Sequence, residues 1–212
     1  MIIVLFGKPG AGKGTQAPLL AAALGVPTLA TGDELRAAIR AGSDLGREAK
    51  GYMDRGDLVP DSVILGIIKQ ALGEPRAAKG VLLDGVVRTV PQAEGLAAVC
   101  RDLGTSVAAV LCFDIADDEI VRRLASRTVC DSCQTPRGDA EPGTKCAQPG
   151  CTGTLVRRKD DEPAAIRNRL DVYRRQTEPV LAWYQQHGTR VAVIDAVGTV
   201  ADVTARALAA LR

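Results

Sequence analysis

The apolar run Ile2-Ile3-Val4-Leu5-Phe6 leads straight into Gly7-Lys8-Pro9-Gly10-Ala11-Gly12-Lys13-Gly14-Thr15. A short run with no polar break reads as a strand covered on both faces. Glycines at this density let backbone N–H groups converge, and the helix that follows adds its N-terminus, so the segment predicts a polyphosphate cradle. Lys13 is spaced to reach the terminal phosphates. Gly14 stands where this loop type has Ser or Thr, and Thr15 comes one residue late for a direct magnesium ligand. Strand, loop and helix joined in this way predict an α/β fold with its ligand at the carboxyl ends of the strands.

The rest of the chain keeps that rhythm. Strands are expected at 2–6, 81–84, 107–113 and 191–194, with a short fifth near 27–29. Helices are expected at 14–24, 32–41, 44–55, 61–72, 91–102, 117–125, 162–186 and 200–211. Alternating β and α predict a doubly wound, parallel, five-stranded sheet. Two stretches break the alternation. Residues 30–60 carry helices without a strand, and 127–161 are rich in cysteine, glycine and proline with little periodicity. The expected organisation is a core of 1–29, 61–126 and 162–212, with 30–60 and 127–161 as insertions.

At 212 residues the chain is long enough for a substantial core, and its net charge of +2 gives no general attraction to nucleic acid or membrane. No run of about 18 apolar residues is present, so no membrane span is expected. The start lacks a basic leader, and a cytoplasmic location is expected. In a reducing compartment the six cysteines argue for metal or buried thiols over disulfides. Cys130-x2-Cys133 and Cys146-x4-Cys151 predict a four-thiolate zinc site. Four protein ligands leave no position for water, so the zinc would be structural and would stabilise a segment poor in apolar residues. Cys100 and Cys112 sit singly in apolar stretches and read as core thiols.

Arginines mark the loops that can face the phosphate site: Arg36, Arg88, Arg123, Arg127, Arg158, Arg167 and Arg169. Phosphoryl transfer needs such charge to hold donor and acceptor and to spread developing negative charge, and the guanidinium fork suits phosphate oxygens. Asp84, at a strand end, is a candidate to orient magnesium through water, or else a turn carboxylate. His187, the single histidine, reads as a surface residue.

With these motifs in order, the chain resembles the adenylate kinases, in their long-lid, zinc-bearing form, from Met1 to its C-terminus. The loop Gly7-x-Pro9-Gly10-Ala11-Gly12-Lys13-Gly14-Thr15 is that family's variant. Thr31-Gly32-Asp33-x-x-Arg36, Gly56-Asp57-Leu58-Val59, Asp84-Gly85-x-x-Arg88-Thr89 with Gln92, and Arg158-Lys159-Asp160-Asp161 with Arg167-x-Arg169 resemble its later motifs. The resemblance implies Mg·ATP + AMP giving two ADP. A monomer is expected, because nothing in the sequence marks an exposed apolar interface, and no nucleic-acid or membrane partner is expected. It implies that Lys13, Arg88, Arg127, Arg158 and Arg169 hold phosphates, and that Asp160 and Asp161 steady a closing lid. ATP would lie against Gly10, Ala11, Gly12, Lys13, Gly14, Thr15, Arg123, Arg127, Pro136, Arg137 and the backbone near Gly198. AMP would meet Thr31, Arg36, Asp57, Leu58, Val59, Gly85, Val86, Val87, Arg88, Gln92, Arg158 and Arg169. Residues 30–60 and 127–161 would be the two mobile flaps.

Three departures stand out. Val86-Val87 replaces the family's Phe-Pro, which predicts a rearranged turn and weaker AMP binding. Thr128 stands where many relatives carry a second arginine. The stretch between the cysteine pairs is short. Two other readings compete: a kinase for UMP, CMP or GMP, and a non-catalytic nucleotide or zinc-ribbon binding module. The long cysteine lid, Thr31, Thr89 and Gln92 favour AMP. The retained phosphate-facing charges disfavour a module without catalysis.

Overall fold

The computed structural model describes residues 1–138 and 140–212. Five strands form one parallel sheet: β1 (Ile2–Gly7), β2 (Thr28–Ala30), β3 (Val81–Asp84), β4 (Val107–Asp114) and a last strand, Arg190–Asp195. Their spatial order is β2, β3, β1, β4, then the last strand. The pairings of β1 with β3 and β4 run Ile3↔Leu82 and Ile3↔Ala109 through Leu5↔Asp84 and Gly7↔Phe113. The chain leaves β1 toward one edge and later fills the other, so the carboxyl end of β1 is the point where the winding reverses. A crevice for ligand opens at such a point.

The unbroken apolar run of β1 follows from burial on both faces. Ile2, Val4 and Phe6 enter one core, while Ile3 and Leu5 enter the other. The first core packs under α2 (Thr31–Arg40), α3 (Asp44–Arg55), α4 (Asp61–Leu72) and α5 (Val90–Asp102), through residues such as Leu35, Ala49, Ile68 and Leu96. The second packs under α1 (Lys13–Leu24) and α6 (Asp117–Ser126), through Leu20, Ile120 and Leu124.

Beyond α6 come three short antiparallel strands: β5 (Thr128–Cys130), β6 (Pro136–Arg137) and β7 (Leu155–Val156), in the order β6, β5, β7. They are too short for a periodic signal, and the sequence reading did not include them. Helices α7 (Pro163–Val172) and α8 (Pro179–Gln186) follow, then β8, the Arg190–Asp195 strand, and α9 (Val200–Ala209). A single helix was expected over 162–186. A wide turn at Tyr173–Thr177 divides it, with Glu178 N–H reaching Tyr173 O at 2.9 Å. Pro179 has no N–H for the ordinary ladder, which accounts for the wider turn there. His187 stacks on Trp183 at the exposed end of α8, with ring centroids 4.0 Å apart.

Helices α2 and α3 approach closely because Gly46 has no side chain. A Cβ there would meet the Ala38 carbonyl and come within 2.6 Å of Ile39 N. A Gly46→Ala variant must separate the two helices. It is expected to lose about 1–3 kcal/mol of stability by overpacking, measured by urea unfolding. An unchanged midpoint would refute this account.

Candidate active site

The loop after β1 turns back on itself, with Ala11 N–H on Lys8 O at 3.2 Å. Lys13 opens α1, and its Nζ donates to Gly7 O at 2.6 Å and to Lys8 O at 2.9 Å. Burial holds this ammonium down at about 8; Arg88 and Arg169 act in the same direction and Asp84 opposes them. Lys8, at the outer side of the loop, donates to Asp117 Oδ1 at 2.7 Å and to Ile115 O at 3.2 Å, which ties the loop to α6.

Asp84 ends β3 beside Leu5 of β1. Burial raises its pKa, against the pull of Lys13. A Cβ on Gly14 would lie 3.5 Å from Asp84 Oδ2, so the carboxylate sits directly against the start of α1.

The arginines surround the same space. Arg88 Nε donates to Gly85 O at 2.9 Å. Arg123 is held by Glu119 at 2.8 Å and by Ala196 O at 3.2 Å. Arg127 makes a two-pronged pair with Asp161, at 2.8 and 2.6 Å. Arg169 donates to Asp160 O and Asp161 Oδ1, each at 3.0 Å. Arg36 pairs with Asp33. Burial, reinforced for Arg88 by Arg169 and for Arg158 by Arg36, pushes both Arg88 and Arg158 down to about 10. They stay protonated at neutral pH, so the site concentrates repelling positive charge that an anion relieves. The Nε atoms of Arg36 and Arg158 are buried with no partner among the described residues. Buried donors of this kind call for an acceptor, and phosphate oxygens fit.

Two adjoining cavities result. The larger, about 2090 Å³ with its open mouth, is lined by Gly10, Gly12, Lys13, Gly14, Thr15, Asp84, Arg123, Arg127, Pro136, Arg137 and Arg158. The smaller, about 570 Å³, is lined by Thr31, Asp57, Leu58, Val59, Val86, Gln92 and Asp160. Arg36, Gly85, Arg88 and Arg169 line both and so stand at their junction. Val87 faces the larger cavity, and both valines of the turn are almost fully buried. Among the described residues no peptide bond is cis.

Three expected site residues line neither cavity. Ala11 is in the second core and does not line a cavity, because its side chain points under the loop. Gly198 lies outside both linings, and Val200 borders the larger cavity in its place. Asp161 is 4% exposed and works through the two arginines it accepts from. Replacing it by Asn leaves those buried charges under-satisfied. Asp161→Asn is expected to lose about 1–3 kcal/mol, read as a lower melting temperature; full retention would show that the pairs are dispensable.

Several contributors escaped the sequence reading. Asp61 accepts from Thr89 Oγ1 at 3.1 Å and from Gln92 Nε2 at 2.7 Å. Asn168 Nδ2 joins α7 to Arg55 O at 2.9 Å and Asp57 Oδ1 at 2.8 Å. Gly56, expected only as part of its motif, has φ +79° and lets Arg169 pass: a Cβ there would lie 2.6 Å from Arg169 Cγ. A lone carboxylate or amide in a helix carries no local signal of such roles.

Cys130, Cys133, Cys146 and Cys151 converge, with all four sulfurs within 4.8 Å of one another. Cys130–Cys151 and Cys133–Cys146 are 3.5 and 3.7 Å apart. Zn–S bonds of about 2.3 Å in a tetrahedron require sulfur separations of about 3.8 Å. The N–H groups of Ser132 and Cys133 point at Cys130 Sγ, and that of Gln148 at Cys146 Sγ, each at 3.4 Å. Backbone donors stabilise thiolate, so the donor set fits a closed zinc site. Cys100 and Cys112 are buried apart from it.

A phosphate loop at the reversal point of a parallel sheet, opening on a cavity ringed with arginine, defines a P-loop nucleotide-binding protein. Comparison with known proteins narrows this. The family model described as adenylate kinase matches residues 5–189. An adenylate kinase of Gemmatimonas aurantiaca is 58% identical over 212 residues, covering 100% of this chain and 99% of the relative. Adenylate kinases of Streptomyces griseus and Methanocella arvoryzae are 46% and 44% identical, covering 100% of this chain and 98% and 99% of theirs. The chain belongs to the adenylate kinase family.

Proposed function

We propose that the protein transfers a phosphoryl group reversibly from Mg·ATP to AMP, giving two ADP. The observation that carries this is the pair of adjoining cavities with Arg36, Arg88 and Arg169 at their junction. The larger cavity takes ATP along the phosphate loop, and the smaller takes AMP. The transferred group then lies where Lys13 and the arginines converge. There is little covalent chemistry for the protein to perform, so fixed charge and alignment supply the catalysis.

Lys13 exchanges its two loop carbonyls for terminal phosphate oxygens. Arg88 and Arg169, shared by both cavities, neutralise charge on the group in transit. Arg123 and Arg127 hold the donor side, with Pro136, Arg137 and the backbone near Gly198 toward its base; Arg158, expected against AMP, lines the larger cavity and holds phosphate there. Thr31, Arg36, the Asp57-Leu58-Val59 stretch and Gln92 hold the acceptor. Asp84 is the residue to orient the magnesium shell through water; the ion, when bound, neutralises phosphate charge. Zinc in the four-cysteine site is structural.

Residues 30–60 and 127–161 act as the acceptor-side flap and the lid over a core of 1–29, 61–126 and 162–212. Closure keeps water from accepting the phosphoryl group, a motion already associated with this family. Among the described residues no helix is long and apolar enough to cross a membrane. We infer a cytoplasmic monomer without nucleic-acid partners. The Val86-Val87 turn weakens AMP binding on this reading, so a Val86→Phe, Val87→Pro double variant lowers the KM for AMP; an unchanged KM refutes it.

The test is ADP formation from Mg·ATP with AMP, UMP, CMP or GMP offered separately. Turnover chiefly with AMP is expected. Turnover chiefly with another monophosphate, or none in folded, zinc-loaded protein, overturns the reading.

A further inference from the structure

Gln92 is 1% exposed and lines the smaller cavity. Its amide has two fixed partners. Arg88 N–H donates to Oε1 at 2.8 Å, and Nε2 donates to Asp61 Oδ1 at 2.7 Å. A backbone N–H can only donate and an ionised carboxylate can only accept, so both partners enforce the same amide orientation. Asp61 is itself held: Thr89 Oγ1 donates to the same Oδ1 at 3.1 Å, and Thr89 Oγ1 also accepts from Gln92 N at 3.2 Å. Residues from the start of α4 and the start of α5 thus close a small ring around one side-chain amide.

We propose that Asp61 is a specificity-determining positioning residue: by fixing the Gln92 amide, it selects a 6-aminopurine over a 6-oxopurine as the acceptor base. An amide has two N–H donors and two oxygen lone pairs. The ring consumes one of each and leaves one donor and one acceptor of fixed identity. Adenine offers a complementary edge, with N1 accepting and the 6-amino group donating. Hypoxanthine and guanine offer the reverse, with N1–H donating and O6 accepting. A freely rotating amide satisfies either; a locked one leaves the wrong base with buried unpaired groups, which is the costly outcome.

This inference rests on AMP being the acceptor. The experiment compares kcat and KM for AMP and for IMP, which differ only at position 6 and the N1 proton, in wild type, Asp61→Ala and Asp61→Asn. Asp61→Ala is expected to narrow the AMP-to-IMP ratio of kcat/KM about tenfold, mostly through KM for AMP, the size of one lost hydrogen bond. Asp61→Asn, whose amide oxygen still accepts from Nε2, keeps the ratio within about threefold. A role limited to negative charge near the N-terminus of α4 would make Asn and Ala equivalent, and that result overturns the proposal. So does an Asp61→Ala ratio equal to wild type. If Ala does not fold, Asp61→Leu, closer in volume, takes its place with the same expected narrowing. Wild-type protein that uses UMP or CMP in preference to both purines overturns the functional reading itself, and this inference with it. Wild type selective for AMP with an unchanged variant ratio overturns this inference alone.

Discussion

Lys13→Met is expected to lower kcat about a thousandfold, the scale of removing a preorganised charge from a developing anion. The side chain sits at the first turn of α1, under the phosphate loop, and the loop's other lysine, Lys8, is held by Asp117 and Ile115 O. Arg88 and Arg169, which act on the Lys13 charge, are already committed to Gly85 O, Asp160 O and Asp161. Methionine keeps the length and loses the charge. The same substitution is expected to raise the melting temperature of the free protein by about 2–4 °C at pH 7, equivalent to roughly 1 kcal/mol in a chain of this size. Burial holds the Lys13 pKa near 8, below its ordinary value, so the folded state binds that proton less tightly than the unfolded state does. The destabilisation is full below pH 8 and fades as the pH rises from there toward the lysine's ordinary range. The gain from methionine should shrink over the same interval. Activity loss with a pH-independent or negative change in melting temperature would show that the loop does not carry this strain.

Removing the proposed zinc is expected to have the second large effect. The insertion has little else to hold it: Cys130, Cys146 and Leu155 are the buried members of its apolar cluster. Its strands are two or three residues long. Strands this short are marginal without a core, and a structural metal supplies the missing folding energy. Stripping the metal, or changing Cys130→Ser, is expected to leave the parallel sheet folded while proteases cut within 127–161. Turnover should fall about a hundredfold, because Arg127 and Arg158 flank that segment and a small displacement of positioning groups costs this much. Metal analysis should return one zinc per chain. Full activity in metal-free protein would remove zinc from the account.

The parallel sheet and the phosphate loop were legible because their signals are local: a continuous apolar run, then glycines and a lysine at fixed spacing. The four cysteines were legible for the same reason. The short strands of 127–161 were not, since Thr128–Cys130 and Leu155–Val156 pair across 25 residues of chain and carry no alternation of their own. Asp61, Asn168 and Lys8 were missed because each acts on a partner brought near only by the fold. The burial of the Ala11 methyl was not legible, because motif spacing places a backbone N–H and says nothing about which way a methyl group points. The division of the 162–186 helix was implicit in Pro179, yet a proline at a helix start and one at a wide turn look alike in sequence.

Asn168 and Arg169 are consecutive residues of α7, and each holds a different insertion. Asn168 ties the backbone of Arg55 and the side chain of Asp57. Arg169 ties Asp160 and Asp161 while passing over Gly56. The two insertions are therefore not independent modules for recombination. A chimera that exchanges 30–60 for a relative's segment inherits the wrong mount unless 165–169 travels with it. The same is true of a transplanted 127–161, so the natural breakpoints of this chain lie beyond α7.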